Sequence, residues 1–338
     1  MDFVPMATDL VQSERTGTTL GALNYLQASV QSSLYRNGKV LTRRDADGSD
    51  AGMEGVVLES REMIIHDARR MTGSDRRTLS ENGFELVGWN SAGNGIDFLD
   101  HQQVLQTYYP QCAELVEQIT GARAYPFDHN VRSASGKQSQ QRIAGGQQVQ
   151  GPAHVVHGDY TLTSSAQRLR DLTKPPTAND TLRLVLGSGQ SLIAPDAAAP
   201  ALEGQRRFAI INVWRNIAKE PVVTNPLALC DSETVDPQDL VVFEIHYRDR
   251  IGENYFAKHS PRHRWFYYPG ITGDEALLIK QWDSAGTLAR TRGDQADAAA
   301  PGKPCTFSFH SAFDDRATPP DAPDRWSIEV RCMVLYDA

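Results

Sequence analysis

Two patterns alternate along this chain. From Asp97 to Thr120 the apolar residues Val104, Tyr108, Cys112, Leu115 and Ile119 recur at three- and four-residue spacing, and Gly121 follows as a stop. That spacing predicts one helix with a single apolar stripe, packed on a sheet. From Ala153 onward the period changes to two. Strands are expected at Ala153–Tyr160, Arg207–Ile217, Leu240–Tyr247, Arg264–Tyr268, Ala276–Trp282, Thr306–Ala312 and Trp326–Tyr336. These runs are rich in Val, Ile, Phe, Tyr and Trp and are broken by Pro, Gly, Asp and Asn. An earlier strand is expected at Phe84–Trp89, and a short helix at Ser164–Leu172. Two polar stretches interrupt the pattern. The segment Ser133–Gly151 is nearly all polar or glycine and is expected to bury too little to order itself. It reads equally as an idle loop or as a lid, because it directly precedes the first of the late strands. Thr287–Pro304 reads as a surface loop.

Many short strands after a partly helical beginning predict a mainly β fold. The expectation is a jelly-roll or cupin-like barrel with supporting helices and an N-terminal α+β extension. One domain is expected over residues 1–338, with 1–132 as the extension, 133–151 as the loop and 152–338 as the barrel.

Composition narrows the function. The chain has 338 residues, a net charge of −8 and 40% hydrophobic residues. It has core enough for one such unit, and nothing in it attracts polyphosphate or an anionic surface, so neither a nucleic-acid nor a membrane partner is expected. The four cysteines, Cys112, Cys230, Cys305 and Cys332, are far apart, which excludes a zinc ribbon and favours reduced core thiols. Met1–Leu20 shows no basic stretch followed by an apolar run, so the chain is read as cytoplasmic. The pattern carries no signal for oligomeric state. Hydrolase elbows, dinucleotide fingerprints, phosphate loops and H-E-x-x-H are absent.

One constellation carries chemistry. In the expected strand through His157-Gly158-Asp159, side chains two apart share a face, so His157 and Asp159 aim at one point. An imidazole and a carboxylate are two of the three ligands of the facial triad that holds iron(II) and leaves positions open. His310 is the expected third, on the polar face of its strand with Thr306 and Ser308, while Phe307 and Phe309 take the other. Downstream, Arg325, Ser327, Glu329, Arg331 and Met333 line one strand face. A guanidinium fork beside a hydroxyl suits a carboxylate, and the distal carboxylate of 2-oxoglutarate is the natural occupant of Arg325 and Ser327. Arg331 is the rival for that role, and an ordinary Arg325–Glu329 ion pair is the bland alternative. Tyr160, Asn212 and Trp214 are expected in the substrate pocket, although Trp214 reads equally as plain core. His66, His101 and His129 are expected to be surface or hydrogen-bonded residues, His154 faces away from His157, and His246, His259 and His263 are scattered, with no carboxylate at ligand spacing.

Several segments also resemble a known family. They are Ile211–Arg215, Pro226–Asp231, His263–Pro269, Asp274–Leu278, Lys280-Gln281-Trp282-Asp283-Ser284, His310–Phe313 and Arg325–Arg331. In order and spacing they resemble the microbial oxygenases that include AsaB, the gibberellin desaturase and the CmcJ-like cephamycin methoxylase component. The resemblance runs from about Phe84 to the C-terminus. It implies a double-stranded β-helix that uses Fe(II), 2-oxoglutarate and O2, with ligands His157, Asp159 and His310 and co-substrate residue Arg325. It also implies a small-molecule substrate, hydroxylated, desaturated or cyclised with release of succinate and CO2. Gly158 departs from the family pattern, where a larger residue is expected, and the departure is expected to widen the space beside the metal. Two other readings remain open: a cupin-like divalent-metal hydrolase or isomerase, and a metal-binding module without catalysis. Succinate formation separates the first from an oxygenase, and metal content bears on the second.

Overall fold

A computed structural model describes residues 17–44, 50–89, 95–144, 146–177, 180–247 and 250–337. The part of Met1–Leu20 before residue 17, where no leader is read, lies outside the described residues. Period-two patterning produces strands, and sixteen are formed among the described residues. The first six are β1 (Thr18–Leu26), β2 (Leu41–Arg44), β3 (Asp50–Glu54), β4 (Leu58–Asp67), β5 (Phe84–Gly88) and β6 (Arg123–Arg132). Next come β7 (His157–Gly158), β8 (Phe208–Asn216), β9 (Leu227–Cys230), β10 (Leu240–His246) and β11 (Ile251–Ala257). The last five are β12 (Trp265–Tyr267), β13 (Glu275–Asp283), β14 (His310–Ala312), β15 (Asp314–Asp315) and β16 (Ser327–Leu335).

They make two sheets. The larger has the order β15-β1-β4-β12-β9-β14-β7-β11-β10-β2-β3, and the smaller β5-β13-β8-β16-β6. Together they form the expected double-stranded β-helix, mainly β with few helices. The central strand β8 is buried along its whole length, as a strand covered on both faces must be. Strands from the first 132 residues, β1, β4, β5 and β6, are built into both sheets rather than standing beside them.

The helical stripe forms with one irregularity. Asp100 caps His101–Gln103 by accepting from the amides of Gln102 and Gln103. The backbone then widens into a π-helical turn at Val104–Tyr108 before α1 (Tyr109–Thr120), which ends on Gly121 at φ 66°. The extra residue per turn shifts the stripe, so Val104, Tyr108, Cys112 and Leu115 are buried whereas Ile119 is exposed. The helix packs on the outer face of β6, β16 and β8.

Three other expectations change. Segment 133–151 is not structureless. Ser133 accepts from Gly136 N and caps α2 (Ala134–Gln138), and Ile143 and Val149 are buried. Two apolar anchors and a ladder of backbone bonds suffice to order a polar segment that lies against a barrel. Thr287–Pro304 is not simply a surface loop either. Its Asp297 is buried and accepts from Leu288 N, Thr306 N and Thr306 Oγ1.

Finally, the two strands that carry His157 and His310 are shorter than the pattern predicts. Within Ala153–Tyr160 only β7 forms, and within Thr306–Ala312 only β14. The residues before β14 bond outside the ladder: Ser308 N donates to Lys280 O, and Ser308 Oγ to Cys230 O. Thr306 and Ser308 therefore do not join His310 on a common inward strand face. The helix expected at Ser164–Leu172 forms with those bounds, as α3.

Candidate metal centre

β7 and β14 are short, but they are adjacent. His310 pairs with His157 across the ladder, and the two rings stand 4.3 Å apart between centroids. Asp159 lies just past β7, its backbone N–H donating to Gln281 Oε1 at 3.0 Å. Ligand atoms of His157, Asp159 and His310 all lie within 4.8 Å of one another. The three residues thus converge on one point, as the period-two pattern anticipates for the first two.

Two of the three candidate ligands, His157 and Asp159, are aimed by a second bond. His157 Nδ1 lies 2.8 Å from Val155 O; donation there leaves Nε2 as the free acceptor, 3.6 Å from Asp159 Oδ1. Asp159 Oδ2 accepts from Asn212 Nδ2 at 2.9 Å and from Arg331 Nε at 3.1 Å. Its other oxygen, Oδ1, therefore faces the imidazoles. Protonation states fit metal binding. Burial, aided by His310, holds His157 down at about 4 against the pull of Asp159. Burial likewise lowers His310, so both rings are neutral near pH 7. Burial pushes the Asp159 carboxyl up, but Arg331 and the two imidazoles outweigh it and keep it ionised.

Several buried polar atoms have no hydrogen-bond partner among the described residues: Asn212 Oδ1, Gln281 Nε2 and His310 Nδ1, whose residues form or bond the triad, and Arg325 Nε and Ser327 Oγ at the start of β16. Buried polar groups are almost always satisfied, so a cluster of exceptions marks a place where something else binds. Two neutral imidazoles and a carboxylate on one face are the donor set of an iron(II) site with open positions, and the residues fit that ion.

The two arginines are in very different surroundings. Arg331 bridges carboxylates: beyond Asp159 it reaches Asp128 at 3.1 Å and Glu329 at 3.3 Å. Glu329 is thus engaged by Arg331, and no Arg325–Glu329 ion pair forms among the described residues. Arg325 is 3% exposed. Its Nη1 donates to Asn225 O, its backbone N–H donates to Thr224 Oγ1 at 3.0 Å, and its guanidinium lies 5.7 Å from the Trp214 ring centroid. No carboxylate of the described residues bonds its fork, and burial, with Arg132 as the next cause, pushes it down to about 9. Of the residues expected in the substrate pocket, Asn212 bonds the metal carboxylate, Trp214 is 2% exposed against Arg325, and Tyr160 is half-buried against the core.

Sequence reasoning missed Gln281, Asp128 and the Thr224-Asn225 turn. Gln281 lies where the β13–β8 register slips between Lys280 and Trp282. A bulge re-aims a side chain, and period two cannot reveal it. The expectation for Gly158 is also corrected. A Cβ there meets the Phe307 ring at 3.0 Å, so the glycine makes room for a core phenylalanine and not for substrate. Among the other histidines, His129 and His101 are buried rather than at the surface, and His129 Nδ1 bonds Tyr109 OH at 2.9 Å.

With the geometry in hand, comparison places the chain. Residues 23–186 and 190–335 match the family described as oxidoreductase/YMDC permease-like domain. No helix among the described residues is long and apolar enough to cross a membrane. An uncharacterised protein of the dcmA 3′ region of Methylophilus leisingeri is 44% identical over 196 residues, spanning 58% of this chain and 89% of that one. The Fe(II)/2-oxoglutarate-dependent dioxygenase nvfI of Aspergillus novofumigatus is 29% identical over 278 residues, 80% of this chain and 82% of that one. Among solved structures, the iron and alpha-ketoglutarate-dependent endoperoxidase NvfI superposes with a TM-score of 0.68 at 22% identity, covering 95% of this chain and 99% of that one.

Proposed function

The chain belongs to the family of non-haem iron(II), 2-oxoglutarate-dependent oxygenases that its motifs resemble, and on that premise we propose that His157, Asp159 and His310 hold its iron while Arg325 and Ser327 hold the far carboxylate of 2-oxoglutarate. Iron(II), 2-oxoglutarate and O2 together supply the oxidising power for removing hydrogen from a small organic substrate, the co-substrate leaving as succinate and CO2. The rest is the work of the chain. Two neutral imidazoles and one carboxylate occupy one face and leave the other open. Asn212 and Arg331 hold Asp159 Oδ2, which leaves Oδ1 as the oxygen that would bind the metal. Gln281 holds the Asp159 backbone. Arg325 offers a fork without a carboxylate, in a pocket dry enough to make its bonds strong.

The observation that carries this reading is the convergence of His157, Asp159 and His310, whose ligand atoms lie within 4.8 Å of one another, together with buried polar atoms of Arg325 and Ser327 that have no partner among the described residues. Arg331 is given a positioning role, because its fork is engaged by carboxylates. Trp214 flanks the co-substrate arginine, and Tyr160 and Asn212 border the substrate space. The chain is taken to work as one domain, since strands from its first 132 residues complete both sheets. Segment 133–151 is taken as the cover of the co-substrate end, since Ser133 and Ser135 bond Asp324, the neighbour of Arg325.

Alanine at His157, Asp159 or His310 is expected to abolish both succinate formation and stoichiometric Fe(II) binding while the far-ultraviolet circular dichroism stays unchanged. Full turnover by any one of the three removes it from the ligand set.

A further inference from the structure

The segment His263–Pro269 carries part of the family resemblance, yet it has no share in the site described above. Its first residues meet Tyr25 of β1 in a buried polar network. Trp265 Nε1 donates to Tyr25 OH at 2.8 Å, His263 Nδ1 lies 3.3 Å from the same oxygen, and His263 Nε2 lies 3.2 Å from Asp239 Oδ2. An indole N–H can only donate, so the phenol must send its own proton elsewhere. Its acceptor among the described residues is His263 Nδ1, which puts the ring hydrogen on Nε2, facing Asp239. Burial pushes the Asp239 carboxyl up, but the bonds from His263 and from the Asp236 amide outweigh it and keep it ionised. Burial also keeps the Tyr25 phenol protonated.

Short links join this network to the metal centre. His157 Nδ1 bonds Val155 O at 2.8 Å. The N–H of the same peptide group, on Val156, donates at 2.9 Å to Asn24 O, the carbonyl of the Asn24–Tyr25 peptide group. Two hydrogen bonds and two peptide groups thus connect a candidate iron ligand to the Tyr25 backbone. From the other ligand strand, Phe309, the neighbour of His310, has its ring centroid 6.1 Å from that of His263. Towards the surface, half-buried His259 has its ring centroid 5.3 Å from that of Tyr25.

A buried tyrosine whose proton is already shared with a base can lose an electron without stranding a charge on its ring, because the proton crosses to the base in the same event. We propose that Tyr25 is a redox-active residue that discharges the iron centre when no substrate receives its oxidising equivalent. The proposal rests on the reading of His157 and His310 as iron ligands. The oxidant is the one that Fe(II), 2-oxoglutarate and O2 supply. One electron passes from Tyr25 to the centre, which is reduced by one unit. The Tyr25 O–H bond breaks, a His263 Nδ1–H bond forms, and the Asp239 carboxylate faces the resulting imidazolium. Trp265 stays hydrogen-bonded to the oxygen of the neutral tyrosyl radical. The oxidising equivalent is then held at β1 and β12 instead of attacking the ligands.

The test mixes the Fe(II)-loaded protein and 2-oxoglutarate, without other substrate, with O2 and freezes samples at intervals for electron paramagnetic resonance. Wild type is expected to show a transient tyrosyl signal that narrows when the protein is made with ring-deuterated tyrosine. Tyr25→Phe keeps the ring in the core and is expected to lose the signal. His263→Gln can accept the hydrogen bond but not the proton, and is expected to lose it as well. Both variants are expected to develop the same anaerobic charge-transfer absorbance with 2-oxoglutarate as wild type. A normal absorbance in wild type without a deuterium-sensitive radical overturns the proposal alone, whatever the variants do. A signal that survives in Tyr25→Phe belongs to another tyrosine and overturns it too. If wild type develops no charge-transfer absorbance, the reading of the iron ligands fails and takes the proposal with it.

Discussion

The interior between the two sheets has two halves that share strand β8 and little else. On the β5 and β13 side, Phe84, Trp214, Leu277 and Ile279 meet Leu229 and Phe266 from the opposite sheet in one apolar cluster. On the β16 and β6 side, the residues across the ladders are polar. Arg331 pairs with Asn212 and Asp128, Glu329 with Trp214 and Asn130, and Ser327 with Asn216 and Arg132. The first half is closed and apolar, except towards the end of β13 that carries Gln281. The second leaves buried polar atoms without partners, each costing about 1–3 kcal/mol. One barrel thus stabilises itself with one half of its interior and holds the proposed reactive site with the other. Trp214 sits on the border, core on one side and against Arg325 on the other. That position explains why the sequence allowed either reading of it.

The division is open to attack from both sides. Phe84 is fully buried in the apolar half. Phe84→Ala is expected to lower unfolding stability by about 3–5 kcal/mol, read by denaturant titration, with the affinity for Fe(II) unchanged. Arg331→Lys, in the polar half, is expected to reverse the pattern. It keeps the charge among Asp128, Asp159 and Glu329 but loses the fork that orients Asp159, so Fe(II) affinity falls about 10–100-fold. If each variant changed both quantities alike, the two halves would not be functionally separate. The smallest effect concerns residues 133–151. Their amides are expected to exchange more slowly once 2-oxoglutarate is bound, while the amides of β5 and β13 stay as they were. Equal exchange with and without the co-substrate makes the segment an idle loop.

The apolar half was easier to read. Ala276–Trp282 and Arg207–Ile217 are long runs buried by partners on both sides, and β13 and β8 form within a residue or so of those bounds. The ligand strands gave the residue types and their facing, but not their length. His157 and Asp159 needed only period two over three residues, while Thr306 and Ser308 were lost because backbone bonds outside the ladder redirect them. Gln281 and Asp128 were invisible for a different reason. Their roles come from cross-strand register and a bulge, which link positions far apart in the chain. The order of segment 133–151 was hidden too, since it rests on Ser133, Ser135 and Asp324, nearly two hundred residues apart.

The central claim is that the polar half is a binding site for an iron-bound keto acid, with Arg325 as its anchor. The most direct measurement is an anaerobic titration of 2-oxoglutarate into Fe(II)-loaded wild type and Arg325→Ala. Removing the fork forfeits one or two charge-assisted bonds of about 1.5–3 kcal/mol each. The account predicts that the dissociation constant rises by roughly tenfold to several hundredfold, with Fe(II) affinity changed by less than about twofold because the residue is not a ligand. Wild-type affinity for 2-oxoglutarate in Arg325→Ala contradicts it.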